Sequence, residues 1–318
     1  MSNNLKLEKP LQRNILFSTH SEMNPLSART RPRLVWVVCL AVNLFGAIAL
    51  AADPDKGIAH HFKVSIESKM AMDVQGGKQK VDADTELRYN WTQNGGERVL
   101  SLESSHVKVN IDGKTLMDVF MSGEEFRAIE GGKTNVVPIQ QAPDGLKKLL
   151  QDAFSKPVCK LEVDPNGKET KRILLVGDAA KQLVDNGLIA NPILFHPPFM
   201  REAGKWKAGA EMTMGNGGFA RGQLDYQKAT GSAAAKVVKV SGTLTNESVK
   251  QPNSPLAIKN AKYVVLGEET YDTVQKEWVS GKLAIDATFD MAEGDKAIGG
   301  AAGTMVLNFT EVPSSPGR

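Results

Sequence analysis

The feature that most constrains this chain is apolar–polar alternation sustained far beyond the length of an ordinary strand. From Phe62 to Val74 the even positions read Phe62, Val64, Ile66, Ser68, Met70, Met72 and Val74. The odd positions read Lys63, Ser65, Glu67, Lys69, Ala71 and Asp73. Side chains of a strand alternate between two faces, so this pattern builds one dry face and one wet face. After Gly76-Gly77 the alternation resumes. Val81, Ala83, Thr85, Leu87, Tyr89 and Trp91 stand against Lys80, Asp82, Asp84, Glu86, Arg88 and Asn90. Asn94-Gly95-Gly96 and Asp112-Gly113 carry hairpin chemistry, so the segments fold back on one another as an antiparallel meander. Leu100 and Leu102 share one parity, whereas Val107, Val109 and Ile111 share the other. One extra residue in a strand shifts its phase, which predicts a bulge or break near Ser104-Ser105. Weaker strands follow to about Val137.

Two segments carry helical spacing instead. Leu146, Leu149, Leu150 and Phe154 form one stripe over Asp144 to Phe154, with Pro143-Asp144 as the start. Asp178 to Asn186 reads as a second helix closed by Gly187. Between them Cys159, Leu161 and Val163 alternate as a strand into the turn Asp164-Pro165-Asn166-Gly167, and Ile173 to Val176 reads as a short buried run. Pro192, Pro197 and Pro198 mark a linker or long loop, and Pro252 to Pro255 another. Beyond the first, inward series return in Ala210-Met212-Met214, Leu224-Tyr226, Val238-Val240, Leu283-Ile285-Ala287-Phe289-Met291 and Met305-Leu307-Phe309.

The expected fold is therefore mainly β, of α+β type: a curved antiparallel sheet, half-barrel or open barrel, with two short helices packed on it. The chain divides into an N-terminal extension and leader (1–51), a β-rich first half (52–191) and a β-rich second half (192–312). A tail (313–318) follows. The pattern leaves open whether the halves are two domains or one sheet.

The leader is legible in itself. Leu34 to Ala52 is almost wholly apolar, Arg29, Arg31 and Arg33 precede it, and Ala49-Leu50-Ala51 ends it in small residues. A basic, then apolar, then small-residue order is the secretory signal pattern, and it predicts cleavage near Ala51 and an extracytoplasmic destination, periplasmic or secreted. Retained, the same run is long enough to anchor the chain in a membrane. Met23 stands where such a leader would start, so residues 1–22 are an added start or a long basic region. Removal of residues 1–51 takes away six bases and two acids. It turns the formal charge from +3 to about −1, and the argument for a nucleic-acid partner goes with it. Cys39 leaves too, and Cys159 remains as a single thiol with no partner for an intrachain disulfide. The parity of Cys159 with Leu161 makes it a packed inert residue.

Catalytic constellations are thin. The sequence contains no G-x-S-x-G, H-E-x-x-H, P-loop or dinucleotide-binding fingerprint. His60-His61 is an exposed strand start whose neighbours point to opposite faces, so no metal is expected there. His106 shares parity with Lys108 and Asn110, and His196 lies among prolines. Asp286 and Asp290 fall on the polar face of a strand. The reading is of a non-enzymatic protein that needs no cofactor. The distinctive residue is methionine. Met70, Met72, Met117, Met121, Met212, Met214 and Met291 mostly share parity with apolar neighbours, and soft, flexible thioethers suit adaptable apolar binding surfaces. They are the candidate lining of an apolar ligand site, or else ordinary core filler.

Four stretches occur in a suggestive order. They are the leader with its first two strands, Cys159 to Lys168, Phe195-His196-Pro197-Pro198 running to Gly204-Lys205-Trp206, and Gly267-Glu268-Glu269-Thr270-Tyr271-Asp272 before Trp278 and Gly281-Lys282-Leu283. Together they resemble an uncharacterised family of exported bacterial β-rich proteins, a domain of unknown function, over most of residues 58–312. That resemblance implies an extracytoplasmic β protein and carries no catalytic residue. In architecture alone the chain resembles the half-barrel lipoprotein carriers of the LolA and LppX type, which hold acyl chains inside a curved sheet. The partners this implies are a hydrophobic small molecule or lipid. The alternatives are an envelope protein bound by a structural or interaction module, and an unrecognised hydrolase.

Overall fold

The computed structural model describes residues 59–312 except 75–76, 95–96, 131–132, 155, 164–168, 176–202, 214–218, 230, 251–255 and 275–276. The expected helix at 178–186, the proline loops, His196, Met214 and the leader lie outside the described residues.

Alternation becomes strand wherever it was sustained. β1 (Ala59–Val74), β2 (Gly77–Asn94), β3 (Glu97–Ile111), β4 (Lys114–Ser122), β5 (Glu125–Glu130) and β6 (Lys133–Pro138) form the first meander. A single 3₁₀ turn (Ile139–Gln141) and α1 (Asp144–Phe154) follow. β7 (Pro157–Val163) and β8 (Glu169–Leu174) make a side hairpin. β9 (Lys205–Thr213), β10 (Phe219–Lys228), β11 (Ala235–Lys250), β12 (Leu256–Asp272), β13 (Glu277–Glu293) and β14 (Lys296–Val312) form the second meander.

Both meanders belong to one sheet, in the order β6-β5-β4-β3-β2-β1-β14-β13-β12-β11-β10-β9. The seam is the antiparallel pairing of β1 with β14, from His61 opposite Val312 to Val74 opposite Gly299. Single rows of side chains can be followed across it. Trp206, Tyr226, Val240, Gly267, Leu283, Leu307, Ile66, Thr85 and Val107 lie in register from β9 to β3 and share one face. That face is the core, with Phe62, Val64, Leu87, Val107, Tyr263 and Val265 at most 1% exposed. The opposite face carries Glu67, Lys69, Asp73, Lys80, Asp84 and Arg88 in contact with water.

The sheet curls about this inner face and stays open. Arg98 on β3 and Glu277 on β13 stand four strands apart, about 19 Å on a flat sheet at ~4.8 Å per strand. Their side chains nevertheless approach to 3.5 Å, which only strong curvature permits. Glycine at inward position 303 helps. A Cβ there would lie 2.1 Å from the Lys69 carbonyl and 2.6 Å from Met70 Sδ, so its absence lets Met70 lie across β14.

The predicted phase change of β3 is a bulge: Arg88 faces Ser104 and Tyr89 faces Leu102, leaving Glu103 over. At this point β3 changes partner, pairing β4 from Ser104 onward and β7 before it. The Asp112–Gly113 hairpin has φ of 49° and 76°, as a tight turn with two left-handed residues requires. α1 buries Leu150, Ala153 and Phe154 and packs on β3, β4 and β7. Cys159 is fully buried on β7. One local expectation is corrected: Ile173 is only half-buried and Leu175 is 47% exposed, because β8 pairs with β7 alone and lies outside the main path.

Candidate functional site

The inner face has two chemically different ends. At one end stand the methionines. Met70 and Met72 on β1 and Met291 on β13 flank β14, where they face Gly303, Ala301 and Gly299. Met212 occupies the same end of β9, opposite Ala220. Met117 on β4 faces Val109, and Met121 faces Ser105 nearer the middle. Met70, Met72, Met121, Met212 and Met291 are 2–4% exposed, and Met117 is half-buried against the core. Met70, Met72 and Met291 form one group; Met117, Met121 and Met212 sit on separate strands.

The other end is aromatic and ionisable. Trp91 and Trp278 lie there at 1–2% exposure, whereas Trp206, 6% exposed, stands in the middle row with Tyr226, Gly267 and Leu283. Arg98, at 2% exposure, holds its guanidinium carbon 3.5 Å above the centre of the Trp91 ring and turns Nη2 toward Glu277 Oε2. The Glu277 carboxylate also accepts the Trp278 backbone N–H at 3.0 Å. Trp278 meets Tyr271 edge to face at 5.1 Å, and Trp206 stacks on Tyr226 at 5.3 Å with the rings 8° from parallel. A register shift in the pairing of β12 with β13 sets Thr270 against Ser280 and Tyr271 against Trp278, leaving Val279 over. Bulges re-aim side chains, and this one allows two successive residues, Glu277 and Trp278, to be buried.

Histidines contribute at this end, with a correction to the expected solvated start. His60 and His61 do point to opposite faces, but each is only partly exposed and carries a carboxylate. His60 Nδ1 lies 2.7 Å from Glu311, and His61 Nδ1 lies 2.6 Å from Glu103, the bulged residue of β3. Asn90 donates to the same Glu103 at 3.1 Å. His106, on the outer side, meets Asp118 at 2.8 Å. A shallow cleft of about 600 Å³ beside the bulge is lined by Glu103, Phe120, Ser122, Glu124, Glu125 and Phe154. Asp286 and Asp290 are exposed, and Asp290 accepts a hydrogen bond from Asn260. No group of three or more His, Cys, Asp or Glu among the described residues is arranged to hold a metal.

Glu269 is the residue that pattern reading passed over. It shares parity with Tyr263, Val265, Gly267 and Tyr271, faces Gly281 on β13 and Val238 on β11, and is 3% exposed. Its Oε2 has no hydrogen-bond partner among the described residues; nor do Tyr226 Oη, Trp206 Nε1 and Trp278 Nε1, or Tyr263 Oη nearer the middle of β12. Burial without a cation pushes the Glu269 carboxyl up to about 8. Burial also raises Glu277, to about 7, with Arg98 opposing the shift. Tyr226 is raised by burial and then by the Glu269 charge, so the two groups sense each other. The signal was present in the sequence: Arg98, Glu269 and Glu311 are charged residues at inward parity.

No protein-family model matches the chain, and no curated protein is similar to it. Among solved structures it is similar to lipovitellin, described for its lipid–protein interactions, at 10% identity and a TM-score of 0.42. The match covers 83% of this chain and 26% of that one, so the chain spans about a quarter of lipovitellin's length. It is also similar to Pseudomonas aeruginosa OccK5 (10% identity, TM-score 0.15, 78% and 65% covered). A Nostoc punctiforme protein of unknown function from the DUF3598 family matches at 10% identity and a TM-score of 0.12, with 78% and 95% covered.

Proposed function

We propose that this chain is an exported, non-enzymatic binding module that holds a hydrophobic or amphipathic ligand, such as a lipid or acyl chain, against the inner face of its curved sheet. The carrying observation is the group of inward methionines, Met70, Met72 and Met291, set against the small residues Gly299, Ala301 and Gly303 of β14, with Trp91, Arg98, Glu277 and Trp278 buried at the opposite end of the same face. An acyl chain needs apolar area and tolerant packing, which Met70, Met72 and Met291 supply. A polar terminus needs a few fixed hydrogen-bonding groups, which the tryptophans, tyrosines and carboxyls supply. A charged outer face backs the sheet with water-compatible surface. The architectural parallel with LolA- and LppX-type carriers belongs to this proposal, as does export, for which the Leu34–Ala52 leader is the support.

Native mass spectrometry of the protein recovered from its producing cell, followed by organic extraction, tests the reading. A co-purifying apolar molecule is expected, reduced at least fivefold by Met70→Gln with Met72→Gln in protein that keeps its β circular dichroism. A clean apo mass with no uptake of offered lipid overturns it. The second reading, a protein-interaction module of the envelope, is favoured by a different observation. β6 and β9 end the sheet path without an outer strand among the described residues, and Val136 on β6 is 50% exposed. Cross-linking to a specific partner through β6, in protein free of lipid, would support it.

A further inference from the structure

The two ends of the sheet path differ as edges. An uncovered strand edge is a template for another strand, and proteins blunt such edges with short strands, prolines or bulges. β6 is blunted: it is six residues long and ends in Pro138. β9 is nine residues long, contains no proline and pairs with β10 without a register shift. No strand lies on its other side among the described residues. Lys205, Lys207 and Gly209 are exposed, and a Cβ added at Gly209 would meet nothing within 4 Å.

Hydrogen bonding fixes which backbone groups this edge offers. The Lys228 N–H donates to the Gly204 carbonyl at 2.9 Å, so Gly204 turns its backbone groups toward β10. In a regular antiparallel ladder that direction recurs at every second residue. The N–H and C=O groups of Lys205, Lys207, Gly209, Glu211 and Thr213 therefore point to the open side. Two copies meeting antiparallel about a twofold axis must draw their hydrogen-bonded pairs from this set. With the axis at Gly209, the whole of β9 finds a partner. Gly209 faces Gly209, Lys205 faces Thr213, and Lys207 faces Glu211, a base opposite an acid on each side of the axis. An axis at any other residue leaves part of the strand unpaired. Lys207 already holds Asp225 of its own chain at 3.3 Å, but an ammonium has three donors and can serve a second carboxylate. At the inward positions the same register sets Trp206 beside Met212 and Ala208 beside Ala210.

We infer that β9 is a self-pairing edge, through which two copies of this chain join antiparallel about Gly209 into one continuous sheet. The partner is a second copy because the edge is complementary to itself in length, in hydrogen-bonding register and in charge. The twofold axis stands across the sheet, so both inner faces lie on the same side, and Trp206 and Met212 carry the apolar surface from one copy to the next. The inference does not depend on the ligand proposed above.

Sedimentation velocity of the protein recovered from its producing cell, over a concentration series, tests it. A dimer that dissociates on dilution is expected. Glu211→Lys sets lysine opposite lysine on each side of the axis and should weaken the dimer about tenfold, with β circular dichroism unchanged. Adding Lys207→Glu restores opposite charges and should recover the wild-type association. A cysteine pair of variants, in a Cys39→Ala background, fixes the register. Facing residues of a hydrogen-bonded antiparallel pair have Cα atoms about 5.5 Å apart, within disulfide range. Gly209→Cys should therefore cross-link to its own copy on mild oxidation, whereas Lys205→Cys should not. A monomer at every concentration up to ~100 µM overturns the inference. So does a dimer that the charge exchange fails to restore, or one in which Lys205→Cys cross-links as readily as Gly209→Cys.

Discussion

At the scale of single residues, the most consequential are charged groups placed where the alternation demands apolar ones. Glu269 is the clearest. Its carboxyl is raised to about 8 by burial, against an ordinary value near 4.5. In the unfolded chain it ionises above that ordinary value, whereas in the folded chain it holds its proton. The unfolded state therefore gains as pH rises, and stability falls by ~1.4 kcal/mol per pH unit for one such group. Denaturant unfolding of the wild type should show stability declining from about pH 4.5 to pH 8, with Glu277 adding to the slope up to about pH 7. Glu269→Gln should remove one proton's share of that slope; an unchanged slope would mean that Glu269 is solvated. Arg98 makes a second prediction. A guanidinium stays charged, so Glu277→Leu removes its buried carboxylate partner and should cost about 3–5 kcal/mol. Arg98→Met together with Glu277→Leu should recover most of that loss, measured by urea unfolding at pH 8, above the raised Glu277 value.

At the scale of elements, the seam and the side hairpin are informative. α1 is marginal by itself, because eleven residues rarely hold a helix in water, and it persists by burying Leu150, Ala153 and Phe154 on β3, β4 and β7. Leu150→Ala should cost about 2–5 kcal/mol by thermal or urea unfolding, against a few tenths for a change at exposed Lys148. The helix was legible because its stripe repeats at three and four residues. The bulge of β3 was legible because one extra residue reverses parity. The bulge at Val279 was not, since Trp278, Val279 and Gly281 give no clean apolar alternation on either side of it. The overestimate at Ile173–Val176 has a similar cause: a short apolar run does not reveal whether a second layer covers it.

At the scale of the whole molecule, one open sheet runs through both halves of the chain, joined where β1 meets β14 along most of their length. Each half alone would expose the long edge of β1 or β14 together with part of the inner face. Fragments 52–190 and 191–318 are therefore expected to be unfolded or aggregated when made separately and to acquire β circular dichroism when mixed. Two independently folded fragments would contradict the continuity of the sheet.

The sequence by itself determined the strands, their faces and their hairpins, because side-chain alternation and turn conformation are local properties of the backbone. It also pointed to Met70, Met72, Met121, Met212 and Met291, and to Cys159, as inward residues. It did not indicate that Arg98 would cross to Glu277, or that Glu269 would be buried with no hydrogen-bond partner for Oε2 among the described residues. Those placements depend on strand order, register and curvature, which join residues as far as 251 positions apart. Burial converts such neighbours into a site: inside the sheet an unpaired carboxyl is driven toward its acid form, whereas the same residue on the wet face would be an ordinary solvated charge.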